Sequence, residues 1–160
     1  MNPVWLIAIP LALAFVSAFW RSVSGWALLV AAFFNAFAGV FGVMFLTDTS
    51  FSIGGWKAPY GISLLVNDAT KLLLPVANIL FLFAVLSYLR KGDETTKYSV
   101  VFLVALASLN GILLTNDLFN LFVFLEIAGI SAYLLASTGE GSGSKVASFK
   151  YLMIGSVGSL

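Results

Sequence analysis

The sequence predicts an all-α fold: a polytopic transmembrane helix bundle of five full spans plus a partial sixth. A short strand-like hairpin on the outer side separates spans two and three. Three observations carry that expectation. Eight basic and seven acidic side chains make up 9% of 160 residues, against about 25% in an average soluble domain. The apolar fraction is 61%, with 15 Phe, more than a soluble fold of this size can hide from water. The apolar residues also fall in runs of about 20, the length that crosses a bilayer.

The spans follow in order. Val4 to Trp20 is the first, with Pro3 at its start and Pro10 as an expected kink. Val16-Ser17-Ala18 resembles a signal-cleavage site, but no basic stretch precedes the apolar run, so the segment is read as a span. Trp26 to Thr47 is the second and carries no charge. Leu72 to Leu89 is the third, with Pro75 expected in its first turns. Tyr98 to Thr115 is the fourth. Leu118 to Ser137 is the fifth, capped by Asp117. Val146 to Leu160 begins a sixth, which at about 1.5 Å per residue falls short of the roughly 30 Å core. Residues 1–160 read as one membrane domain.

The longest connection is the outer loop 48–71. Phe51-Ser52-Ile53 before Gly54-Gly55 suggests a strand entering a turn, and Ile62 to Val66 the returning strand. Asp68 and Lys71, three apart, are placed to pair on a helical turn. Gly139 to Ser144 reads as a flexible Gly/Ser loop, with Gly139 ending the fifth helix. With the N-terminus outside, inner loops hold Arg21, Arg90, Lys91, Lys97 and Lys145, and outer segments hold Lys57 and Lys71. That bias favours N-out. Trp5, Trp20, Trp26, Trp56, Tyr88 and Tyr98 lie near span ends, as an interfacial aromatic belt requires.

Missing residue types narrow the chemistry. The chain has no Cys and no His. Thiolate and imidazole chemistry, Cys-held zinc or iron–sulfur clusters and His-held haem are therefore excluded. A net charge of +1 supplies no field for nucleic acid. No catalytic centre, metal site or cofactor is expected in this chain.

Glu126 is the residue that does not belong. It lies about nine residues into the fifth span, roughly 14 Å deep at about 1.5 Å per residue, near the midplane. A carboxylate there is protonated, paired, or facing a hydrated cavity. The functional reading is a proton- or cation-binding site. The plainer alternative is a structural Glu hydrogen-bonded to neighbouring helices. Gly129 lies one turn on and shares its face, and Ser131 and Tyr133 follow on neighbouring faces.

Lys150, early in the sixth span, is the candidate partner. A Glu–Lys pair shifts both proton affinities and responds to nearby charge, whereas a Lys near a span end also snorkels to the interface. Asp117 is read first as a helix cap. Asn35, Asn78, Asn110 and Asn120 are expected to make interhelical hydrogen bonds, and Asn110-Gly111 to loosen the fourth helix beside Glu126. Asp117, Asn110 and Tyr133 stand as possible supporting residues.

The stretch from Thr115 to Ile127, TNDLFNLFVFLEI, resembles the fifth helix of antiporter-like membrane subunits. These include the D-type component of Mrp Na⁺/H⁺ antiporters and related subunits of respiratory complex I and membrane-bound hydrogenases. The segment Gly54 to Ile62, GGWKAPYGI, is similar to the family's connection between helices two and three, and Lys150-Tyr151-Leu152 to the start of its sixth. The resemblance implies that Glu126 is the key residue of H⁺ or Na⁺ translocation and that Lys150 matches a recurring lysine. It also implies an N-out protein of the prokaryotic cell membrane. Family members have about fourteen helices, including two inverted five-helix units, and pair their Glu with a helix-seven lysine. For a sequence that stops in helix six, the remainder is expected in another chain, or the sequence is a reduced subunit or a fragment; the expected partners are other membrane subunits, including a chain supplying the missing helices. Two rivals stay open: a non-conducting structural bundle that docks other subunits, and a self-contained homo-oligomeric transporter.

Overall fold

A computed structural model describes residues 2–43, 49–53, 56, 61–90, 95–138 and 142–158. Among them are six α-helices and one two-stranded antiparallel sheet. Helix α1 (Trp5–Phe19) runs through Pro10, and a 3₁₀ turn, Arg21–Val23, leads to α2 (Ser24–Phe37). A π-helical segment, Ala38–Val43, extends α2, and there Gly39 lets α3 approach, since a Cβ would sit 3.2 Å from Leu74 Cδ2. Strands β1 (Thr49–Ser52) and β2 (Ser63–Val66) form the expected hairpin in the register Phe51↔Leu64. The Gly54-Gly55 turn and the Gly139 cap lie outside the described residues.

Helix α3 (Asp68–Leu89) starts a turn earlier than the apolar run implies. The reason is Asn67, whose side chain accepts from the Thr70 amide at 2.9 Å and caps the helix over polar residues. Pro75 therefore stands in the interior of α3, not in its first turns, and leaves a gap in the hydrogen-bond ladder. Lys71 reaches Asp68 at 3.7 Å, as the spacing predicts. Helix α4 (Thr95–Leu114) is followed by α5 (Leu118–Ala136), capped by Asp117, and by α6 (Ser142–Gly158). Helix α6 takes in Ser142, Gly143 and Ser144, which composition alone assigns to a loop. Ser144 donates its hydroxyl to the Ala136 carbonyl at 2.8 Å, fastening the start of α6 to the end of α5.

Ser24–Val43, Asp68–Leu89 and Leu118–Ala136 are long and apolar enough to cross a membrane. Trp5–Phe19 and Tyr98–Leu114 are shorter apolar helices. The core lies among α1 to α4. One cluster, with Leu6, Val43, Leu64, Val66, Leu74 and Leu114, is lidded by the hairpin. The other, with Ala14, Leu28, Ala31, Val85, Leu103 and Leu106, fills the opposite end. Half of the α2 span is buried against 6% of the α5 span, so α5 and α6 lie on the flank of the body. The hairpin is tied to the α4–α5 turn by a bridge between Leu64 and Thr115 and by the Asn116 amide donating to the Ser63 carbonyl at 3.0 Å.

Candidate ion site between helices five and six

Helix α5 starts where it does because Asp117 is extended and its Oδ1 accepts from the Asn120 amide at 2.7 Å. Asn120 in turn donates its side-chain amide to Thr115 Oγ1 at 3.2 Å. That start fixes the rotation of every later residue of the helix. Glu126, Gly129 and Tyr133 fall at i, i+3 and i+7, one face of α5, so Tyr133 shares the face of Glu126 and not a neighbouring one. Ser131 points elsewhere: it is buried, and its hydroxyl donates to the Ile127 carbonyl of its own helix at 2.8 Å.

The face bearing Glu126 borders a cleft of about 150 Å³ against α6. Leu125, Glu126, Gly129, Ile130 and Tyr133 line one wall, and Tyr151, Gly155 and Ser156 the other. Glu126 is half-buried there. Tyr133 and Tyr151 meet edge to face, ring centroids 6.4 Å apart and planes at 71°. The cleft thus brings together one carboxyl group, three hydroxyl-bearing residues and two glycines in otherwise apolar surroundings. A carboxyl so placed can take up and release a proton, or give one of the several oxygen ligands a sodium ion needs. Three of the predicted site residues lie outside the cleft. Lys150 is exposed on α6, one residue and hence about 100° of helix rotation from Tyr151. Among the described residues no ion pair joins it to Glu126. Asp117 is the cap of α5, the plainer of its two readings.

Asn110 belongs to a second polar centre. It is fully buried and donates its side-chain amide to Asn35 Oδ1 at 2.9 Å and to the Leu6 carbonyl at 3.1 Å. Its own Oδ1 accepts from Asn78 Nδ2 at 2.7 Å. Asn35 and Asn78 also donate to the Ala31 and Leu74 carbonyls, each at 2.9 Å. One chain of amides therefore joins α1, α2, α3 and α4. Far from loosening α4, the pair Asn110-Gly111 fastens it: the helix is continuous, and Gly111 is the seat of the Phe124 ring on α5. A Cβ at Gly111 would lie 2.5 Å from that ring.

Tyr151, Gly155 and Ser156 are the site residues that sequence reasoning missed. Tyr151 and Gly155 are four apart and share a helix face, but nothing in the sequence says that this face meets α5.

No protein-family model matches the chain. It is 39% identical over 108 residues to the N subunit of NADH-quinone oxidoreductase of Desulforudis audaxviator, covering 64% of this chain and 21% of that one. It is 38% identical over 112 residues to the D-type subunit of the Na⁺/H⁺ antiporter of Bacillus subtilis, covering 68% and 22%. The chain thus spans about a fifth of the length of these relatives. A chain of the archaeal membrane-bound sulfane sulfur reductase superposes with a TM-score of 0.84 at 30% identity, over 98% of this chain and 34% of that one. A chain of the Mrp complex from Dietzia superposes with a TM-score of 0.86 at 24% identity, over 99% and 33%, a likeness of fold. Over about 65% of its length, then, this membrane protein is a homologue of the antiporter-like subunits, the D-type component of Na⁺/H⁺ antiporters and the N-type component of NADH-quinone oxidoreductase.

Proposed function

We propose that the chain forms part of an ion-translocating, antiporter-like subunit of a multi-subunit complex in the prokaryotic cell membrane, its N-terminus outside. Glu126 binds and releases the ion, H⁺ or Na⁺. The observation that carries this reading is a half-buried carboxyl at mid-span, opening on a cleft that also holds hydroxyl groups. A carboxylate facing hydrocarbon costs at least a few kcal/mol, and a polar cleft beside it removes that cost. The relatives support the reading, since one belongs by name to a Na⁺/H⁺ antiporter and both structural neighbours come from membrane complexes. The cation that modulates Glu126 is Lys150, whose stem is long, or a lysine of a helix that covers this face. Electron transfer, where the complex carries it, belongs to the partners.

Glu126→Gln in the assembled complex, assayed in everted vesicles, is expected to abolish ion movement while assembly persists. Transport at the parental rate would sink the proposal. The non-conducting docking bundle is favoured by a different observation: Phe119, Phe122, Leu125, Ile154 and Val157 leave α5 and α6 broadly exposed and apolar. That reading predicts normal transport in the Gln variant and loss of assembly when those side chains become polar.

A further inference from the structure

The groove between α2 and α3 ends in a cation. Leu29 of α2 and Phe83, Leu86, Leu89 and Arg90 of α3 border a space of about 540 Å³, within the size range of small-molecule sites. Ser87 also lies on its wall, but its hydroxyl already donates to the Phe83 carbonyl at 2.8 Å. Away from Arg90 the apolar surface continues along α3. Val76, Leu80 and Phe83 are all exposed and fall at i, i+4 and i+7, one stripe of the helix. Trp26 is exposed one turn before Leu29, toward the start of α2 and so toward the end where Arg90 stands. Indole rings gather at the level of lipid headgroups. The apolar walls therefore lie at the depth of acyl chains, and Arg90 at the depth of the headgroups.

Arg90 sets the sign of the charge at the mouth of the groove. Helix α2 begins and α3 finishes at this end, so the partial charges of the two termini oppose each other. Residues 91–97 add two lysines and two acidic side chains, zero in sum. Among the described residues Arg90 has no carboxylate partner. The clefts beside Phe15 and Phe19, and beside Val104 and Ile127, have no charged residue in their walls.

We propose that the α2–α3 groove binds an anionic phospholipid, its phosphate on Arg90 and an acyl chain along Leu29, Leu86, Phe83 and Leu80. A guanidinium offers phosphate two parallel N–H donors, and basic pockets between membrane helices suit anionic headgroups. A hydrocarbon chain alone needs no cation. A covering protein helix would bury Arg90 and would need a carboxylate at that one place to offset its desolvation. A phospholipid carries anion and hydrocarbon in one molecule, in the order in which the groove presents their partners. The site does not involve Glu126 and stands whether or not that residue carries an ion.

Photocrosslinking in the assembled complex tests the site. Phe83, exposed on the groove wall, is replaced by the photoreactive benzoylphenylalanine. The complex is placed in vesicles of phosphatidylethanolamine and phosphatidylglycerol with identical acyl chains, so the two lipids differ in headgroup alone. Mass spectrometry identifies what the probe has captured. The ratio of phosphatidylglycerol to phosphatidylethanolamine among the adducts is expected to exceed that of the bilayer about fivefold. Arg90→Gln should return it to the bilayer ratio, and Arg90 is exposed at the end of α3, where the change leaves the core untouched. The same probe at Phe15, beside the uncharged cleft of α1, should report the bilayer ratio throughout. A bilayer ratio at Phe83 in the parent would overturn the site. So would enrichment that survives Arg90→Gln, or equal enrichment at Phe15. Capture of a protein chain in place of lipid would also overturn it, since a partner's helix would then fill the groove.

Discussion

Asn110 on α4 supplies the hydrogen bond that Pro10 on α1 cannot. In a continuous helix the Leu6 carbonyl would accept from the amide of residue 10, and proline has none. The Asn110 side chain takes that place at 3.1 Å, across 104 residues of sequence. Asn110→Ala would strand the Leu6 carbonyl and Asn35 Oδ1 in the bundle interior and leave Asn78 Nδ2 only the Leu74 carbonyl. The expected loss is about 1–3 kcal/mol, read from unfolding in a detergent titration.

A double-mutant cycle isolates the substitution of one donor for the other. Pro10→Ala returns a helical donor to the Leu6 carbonyl. Asn110→Ala is therefore expected to cost about 0.5–1.5 kcal/mol less in the Pro10→Ala background than in the parent. Equal costs in both backgrounds would show that the Leu6 contact is incidental to stability.

Gly111 and Phe124 form a tight joint between α4 and α5. Gly111→Ala should destabilise by about 1–3 kcal/mol through overpacking, although alanine is the better helix former. Phe124→Leu, which removes the ring, should recover most of that loss in the double variant. The same detergent titration measures both.

The cap of α5 can be tested apart from the candidate ion site. Asp117→Ala removes the acceptor of the Asn120 amide and is expected to cost about 1 kcal/mol. Asp117→Asn keeps an acceptor and should keep both stability and transport. Transport lost with stability intact would give the Asp117 charge a role of its own.

The pair Lys71–Asp68 should be nearly silent. Asp68 is 95% exposed and the pair spans 3.7 Å, so Asp68→Asn is expected to change stability by about 0.5 kcal/mol or less.

The helices and the hairpin were legible because their signals are local. Runs of apolar residues, Asp117 before Leu118, and alternating residues flanking Gly54-Gly55 each need only short-range physics. The early starts of α3 and α6 were less legible, since capping by Asn67 and the reach of Ser144 to Ala136 let helix extend over polar residues. Glu126 was visible because a carboxyl group within an apolar span is rare. Its surroundings were only half visible. Gly129 and Tyr133 follow from the pitch of α5, but Tyr151 and Gly155 depend on how α6 is turned. In water an apolar stripe would mark that face. In a bilayer apolar side chains suit both lipid and helix, and the stripe vanishes. The three asparagines were identifiable one by one as interhelical groups; their union at one point depends on the packing of four helices.

The chain of amides has a consequence for the order of synthesis. All of its members, Leu6, Asn35, Asn78 and Asn110, lie before α5. As the chain grows from its N-terminus, the four-helix body has every group it needs to close before Glu126 is made. The charge-bearing helix then enters the bilayer beside a finished wall, against which Gly111 offers the Phe124 ring its seat. The sequence thus spaces its polar groups in time as well as in depth, so that Glu126 arrives after the asparagines, when a surface is ready to receive its helix.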